Sequence, residues 1–145
     1  NMYRALEDLS GSMRQRIEGL KIKHDSSTNS GGYLREGAEA VTDVVTCPGA
    51  IHPIIRTHPE TGRKALYLGR RRSAYIMGMG LEESELLLDE LWAHASQSKY
   101  AWHHQWRVGD VLMWDNRCAM HRRDSFDDTK RRIMHRTQIK GDRPF

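Results

Sequence analysis

Pro59 and Gly62 stand three residues apart between two short runs of β-like composition, His52 to Thr57 and Lys64 to Leu68. Proline presets φ for a turn and glycine supplies conformations that other side chains resist, so His58-Pro59-Glu60-Thr61-Gly62-Arg63 reads as a hairpin connection. A connection this short joins only antiparallel neighbours. It therefore commits this part of the chain to an antiparallel sheet. Further extended candidates follow at Ser73 to Met79, Ala101 to Arg107, Val111 to Asp115 and Arg132 to Lys140, with a turn at Gly109-Asp110 leading into Val111.

Helical spacing appears in two stretches. From Met2 to Leu20 the apolar residues Leu6, Leu9, Met13, Ile17 and Leu20 recur three or four apart, and Ser10-Gly11 divides the stretch with Ser10 as a cap for its second part. From Glu82 to Ser96, Glu82, Glu83 and Glu85 suit the positive N-terminal end of a helix, while Leu87, Leu88, Leu91 and Ala95 form an apolar stripe. Short strands with one or two helices describe a mainly β chain with helical decoration, a sandwich or jelly roll.

Lys21 to Asp25 leads from the first helical stretch into Ser26-Ser27-Thr28-Asn29-Ser30-Gly31-Gly32, which has the composition of a mobile loop. Too few residues precede that loop to bury a core alone, so it lies within a domain rather than between two. At 145 residues, with 38% hydrophobic and 29% charged, the chain fits a soluble globular class with a modest core. Apolar runs such as Leu86-Leu87-Leu88 are too short to span a membrane, and the first residues lack the pattern of a secretory signal. Cys47 and Cys118 fit no CxxC or zinc-knuckle spacing, so reduced thiols and a cytoplasmic location are expected.

A net charge of +4 is open to several readings. A solvated basic surface, a nucleic-acid footprint around Arg70-Arg71-Arg72 and Arg122-Arg123, and arginine pockets for small anions all explain it. No recognised nucleic-acid motif accompanies the arginine clusters, so neither nucleic acid nor membrane is the expected partner.

Most of the 8 histidines have simple explanations. His103 and His104 are adjacent and would point to opposite faces of a strand. His58-x-Glu60 has the spacing of two ligands of a facial triad, but the surrounding proline and Thr-Gly assign it to the hairpin turn. His24, beside Asp25, reads as ending a helix in a charge or capping role. His121 differs: it follows an apolar strand and a Trp-Asp-Asn-Arg turn, a position from which an imidazole can project into the mouth of a sheet. Arg132 and Arg136 are four apart, so on an extended strand both face one side, and arginine forks match carboxylates and sulfonates. From spacing alone, a strand-end histidine with two surface ion-pair arginines remains an equal alternative.

Gly109-Asp110, Trp114-Asp115-Asn116-Arg117, His121, Arg131-Arg132-Ile133-Met134-His135-Arg136-Thr137 and Gly141-Asp142-Arg143-Pro144-Phe145 together resemble the C-terminal half of the taurine dioxygenase and 2,4-dichlorophenoxyacetate dioxygenase (TauD/TfdA) family. Upstream, His52 to Gly62 resembles that family's central hairpin, and Leu9 to Asp25 its preceding helix and His-Asp pair. The likeness covers nearly the whole chain and is weakest across Ser26 to Cys47.

The resemblance implies a double-stranded β-helix, or jelly roll, in which Fe(II) and the cosubstrate 2-oxoglutarate hydroxylate a small sulfonate or carboxylate using O2. It implies that His121 is the distal iron ligand, that Arg132 binds the far carboxylate of 2-oxoglutarate, and that Arg136 faces the anionic end of the substrate. Trp114, Asp115 and Asn116 would then be structural support. The family's early His-x-Asp iron pair occurs nowhere in these 145 residues. Residues 1–145 are therefore expected to be the C-terminal part of a single jelly-roll domain, inactive alone, without ligated iron at His121, and prone to homo-oligomerise through uncovered sheet edges. The alternative is a noncatalytic jelly-roll scaffold or partner-binding module.

Overall fold

A computed structural model describes residues 1–29, 32–69, 73–127, 129–141 and 143–145. Helix α1 (Met2–Glu7) begins where the Asn1 side chain accepts the Arg4 N–H, and α2 (Gly11–Ile17) where the Ser10 hydroxyl accepts the Met13 N–H at 3.1 Å. The expected division at Ser10-Gly11 is thus observed, with the serine supplying an acceptor to a helix end that lacks one. Met2, Ala5, Leu6, Met13 and Ile17 are buried.

Strand β1 (Lys21–Asp25) is central to a three-stranded antiparallel sheet, between β2 (Gly49–Pro53) and β5 (Ala74–Ile76). This corrects the reading of His24 as the end of a helix: Lys21-Ile22-Lys23-His24-Asp25 alternates with the period of a strand, and Ile22 is buried. His24 lies opposite Ala50 on one neighbour and Ala74 on the other. Gly49 passes so close to the His24 carbonyl that a β-carbon there would collide with it.

The hairpin forms as expected from β3 (Ile55–Thr57) and β4 (Lys64–Leu66), in register from Ile55↔Leu66 to Thr57↔Lys64. The run from His52 to Thr57 is nevertheless divided, because β2 belongs to the first sheet and Ile54 turns to donate its N–H to the Leu20 carbonyl at 3.0 Å. Ser26 to Asn29 is also better organised than its composition implies. Asp25 accepts the Ser27 N–H at 2.7 Å and the Thr28 hydroxyl at 3.0 Å, and Asn29 accepts back from Tyr33. Ser30 and Gly31 of that loop lie outside the described residues.

Helix α3 (Leu81–Ala95) packs its Leu87, Leu88, Leu91 and Ala95 stripe into the shared core, with Glu82 and Glu83 in the first turn. Ser84, fully buried, accepts the Ile76 N–H at 2.9 Å and ties α3 to β5, and the His94 ring lies 2.7 Å from the Ala5 carbonyl, joining α3 to α1.

The candidates at 101–107, 111–115 and 132–140 do not form strands among the described residues. A strand exists only when a neighbour completes its ladder of hydrogen bonds. Here alternation supplied the pattern without the partner: Val111 is 95% exposed and Ile139 93%. No described helix is long and apolar enough to cross a membrane.

Candidate metal and anion site

The segment leading to His121 is held to the folded core from several sides. Met2 donates its N–H to the Cys118 carbonyl at 2.9 Å, the Cys118 and Ala119 N–H groups donate to the Asp115 carbonyl, and Cys118 and Met120 pack against the core. The Trp114 indole N–H donates to Asn116 at 2.9 Å, and its ring lies 4.8 Å from that of His121. His121 is exposed; partial desolvation of its ring, and then the nearby positive charge of Arg136, lower its pKa. Both causes favour the neutral imidazole, the form that ligates a metal.

The structure therefore brings Arg136 within electrostatic reach of His121. Arg132 instead has its guanidinium 5.4 Å from the centre of the Phe126 ring. Neither arginine makes an ion pair with another of the described residues, and both are exposed. Among the described residues, no carboxylate occupies either fork, and each can meet an external anion. Arg122 pairs with Asp124 at 3.5 Å and Arg123 lies over Phe126, while the Arg70-Arg71-Arg72 cluster falls outside the described residues.

Iron fits this segment only in part. Among the described residues the group with metal-ligand spacing is His58, Asp115 and Cys118, and it does not include His121. The first group is already occupied by its own bonds. His58, 4% exposed, accepts at Nδ1 from the Glu60 and Thr61 N–H groups, both at 3.3 Å, so its proton resides on Nε2, 3.0 Å from Asp115 Oδ2. No lone pair on that ring is left for a metal. Arg117 grips Asp115 side-on, with Nε 2.9 Å from Oδ1 and Nη2 2.7 Å from Oδ2, and this holds the carboxyl well below the usual carboxylate range. His121 thus offers one ligand, and the described residues do not complete a facial triad around it.

His103 and His104 lie in a segment that forms no strand, so the opposite-face argument does not apply to them, and other histidines are caught up in packing. His103 and His104 approach different aspartates, Asp124 at 3.7 Å and Asp110 at 3.1 Å. Sequence reasoning missed a cluster of His24, His52, Tyr67 and the buried Arg56. The His24 ring centre lies 5.0 Å from that of His52 and 5.5 Å from that of Tyr67, with the Arg56 guanidinium 4.8 Å from the centre of the Tyr67 ring. Burial, then repulsion from His52, push the His24 pKa down to about 4. No sequence signal marks this cluster, because it assembles from β1, β2, β3 and the residue that follows β4. Cys47 and Cys118 are both free thiols, as expected from their spacing.

The taurine catabolism dioxygenase TauD, TfdA family profile matches residues 1–138. The alpha-ketoglutarate-dependent 2,4-dichlorophenoxyacetate dioxygenase of Burkholderia sp. (strain RASC) is 36% identical over 143 residues, covering 99% of this chain and 48% of the relative. The (S)-phenoxypropionate/alpha-ketoglutarate-dioxygenase of Sphingobium herbicidovorans is 35% identical, covering 98% of this chain and 51% of its own length. Among solved structures, AAD-2 in complex with Mn(II) and N-oxalylglycine superposes with a TM-score of 0.74 at 32% identity, over 90% of this chain and 51% of that one. A taurine dioxygenase from Burkholderia xenovorans superposes with a TM-score of 0.61 at 32% identity, over 81% of this chain and 36% of that one. The chain spans about half the length of the curated relatives it matches.

Proposed function

Because the chain belongs to the TauD/TfdA dioxygenase family, we propose that it carries the distal-histidine and arginine half of an Fe(II)- and 2-oxoglutarate-dependent dioxygenase. Residues 1–145 form the C-terminal part of one jelly-roll domain in this reading, and the other two iron ligands lie outside them. The observation that carries the proposal is the placement of His121 against the Trp114 ring, at the end of a segment anchored to the core through Cys118 and Met120. The fork of Arg132 is assigned to the far carboxylate of 2-oxoglutarate and that of Arg136 to the sulfonate or carboxylate of a small organic substrate. Exposed Val111, Met113 and Ile139 support the domain reading, since such residues on strand-competent segments await cover by further polypeptide or a second copy.

Bound iron supplies the activation of O2 that couples oxidation of 2-oxoglutarate to hydroxylation of the substrate. His121 contributes a ligand already neutral near pH 7, Trp114 limits the tilt of its ring, and the arginines fix the two organic anions by charge and direction. The test is anaerobic Fe(II) titration and 2-oxoglutarate-dependent oxygen uptake by the longest form of the protein. His121→Ala should abolish both. Arg132→Met should raise the 2-oxoglutarate concentration required, and Arg136→Met the substrate concentration. Failure of the intact protein to bind Fe(II) with 2-oxoglutarate present overturns the proposal in favour of a noncatalytic jelly-roll module. That second reading draws on the incomplete ligand set among the described residues.

A further inference from the structure

Four residues from two distant segments close a hydrogen-bonded circuit. The Glu60 N–H donates to His58 Nδ1, His58 Nε2 donates to Asp115 at 3.0 Å, Arg117 donates to Asp115, and Arg117 Nη1 returns to Glu60 Oε1 at 2.8 Å. Half of the circuit belongs to the β3–β4 hairpin and half to the turn six residues before His121. His58 and Glu60 are thus the hairpin's grip on a turn whose backbone carbonyl, at Asp115, also accepts from Ala119 at 3.0 Å.

We infer that His58 and Arg117 are positioning residues for His121, acting through Asp115. The inference rests on the assignment of His121 as a metal ligand. Asp115 begins the turn from which the chain runs through Cys118 and Met120 to the His121 imidazole, and Trp114, directly before it, packs on that ring. A shift of the Asp115 side chain therefore moves both the backbone entering His121 and the indole beside it. Beyond His121 the segment from Arg122 to Asp127 is exposed. Restraint on the ring comes from the preceding side.

The competing role for His58 is local: it only caps the turn at Glu60 and Thr61. Asparagine and glutamine separate the two roles, since an asparagine carbonyl can reproduce the Nδ1 acceptor and a glutamine amide the Nε2 donor. In the longest form of the protein, Co(II) affinity is measured by isothermal titration for wild type, His121→Ala, His58→Asn, His58→Gln and Arg117→Lys. Positioning predicts that His58→Asn loses about 10- to 100-fold in affinity, as outer partners of metal ligands do, while His58→Gln stays near wild type. Arg117→Lys, which lacks the planar pair of donors that grips Asp115 side-on, should lose affinity with an unchanged circular dichroism spectrum. The opposite order, His58→Asn near wild type and His58→Gln impaired, overturns the inference. So does wild-type affinity in both His58 variants together with Arg117→Lys. Undiminished Co(II) binding by His121→Ala removes the ligand assignment itself, an outcome distinct from either.

Discussion

His24 makes the stability of this chain depend on pH in a window that its carboxylates leave largely untouched. The half-buried ring packs against His52 and Tyr67, and a β-carbon on Gly69 would strike it, so the ring fills its site tightly. Burial, then repulsion from His52, depress its pKa from 6.5 to about 4. A depressed histidine is neutral in the folded chain while the unfolded chain takes up the proton. Stability is therefore complete above the unfolded value and falls as pH drops from about 6.5 towards about 4. At 1.36 kcal/mol for each pKa unit the full effect is about 3 kcal/mol, and partial solvent access to the ring reduces it to about 2 kcal/mol.

The perturbation is His24→Phe, which keeps the ring contacts and removes the titration. Nε2 of His24 has no hydrogen-bond partner among the described residues, so the substitution should cost little at pH 7.5. Urea unfolding of the full chain at pH 7.5, 6 and 4.5 should show wild type losing about 2 kcal/mol more than the variant over that range. His52, whose pKa is also lowered, chiefly by burial and then by Arg143 and Arg56, leaves the variant a residual slope. Asp25 and Asp115, both lowered below the ordinary aspartate range, act at lower pH. Parallel stability curves for wild type and His24→Phe would refute the reasoning.

Two packing predictions follow from single buried atoms. Ser84→Ala removes the acceptor of the Ile76 N–H and should lower stability by about 1–3 kcal/mol, read as a shift in the urea midpoint. Gly69→Ala should cost about 1–3 kcal/mol by driving a methyl group into the His24 ring, and in a double-mutant cycle with His24→Ala most of that cost should disappear.

The elements legible in the sequence are those whose cause is local. The β3–β4 hairpin follows from Pro59 and Gly62, the cap of α2 from one serine hydroxyl, and α3 from a leucine stripe with glutamates at its start. β1 escaped because its partners lie far along the chain, at Gly49–Pro53 and Ala74–Ile76, and a five-residue stretch after a helix does not announce them. The alternation at 111–115 and 132–140 was legible too, but alternation names a face and not a neighbour.

For the site, the sequence by itself determined the chemical inventory and its order: a motif histidine at 121, arginines at 132 and 136, and no His-x-Asp. These depend only on residue type and spacing, which no folding event alters. Tertiary structure alone decided which groups are already spent. It placed the tempting His58 against Asp115 and two backbone N–H groups, closed Arg117 onto Asp115 and Glu60, and set His121 beside Trp114 and Arg136. Whether a donor or lone pair is free is a property of its neighbours in space, and the pairs His58–Asp115 and Arg117–Glu60 are each 57 residues apart in the chain.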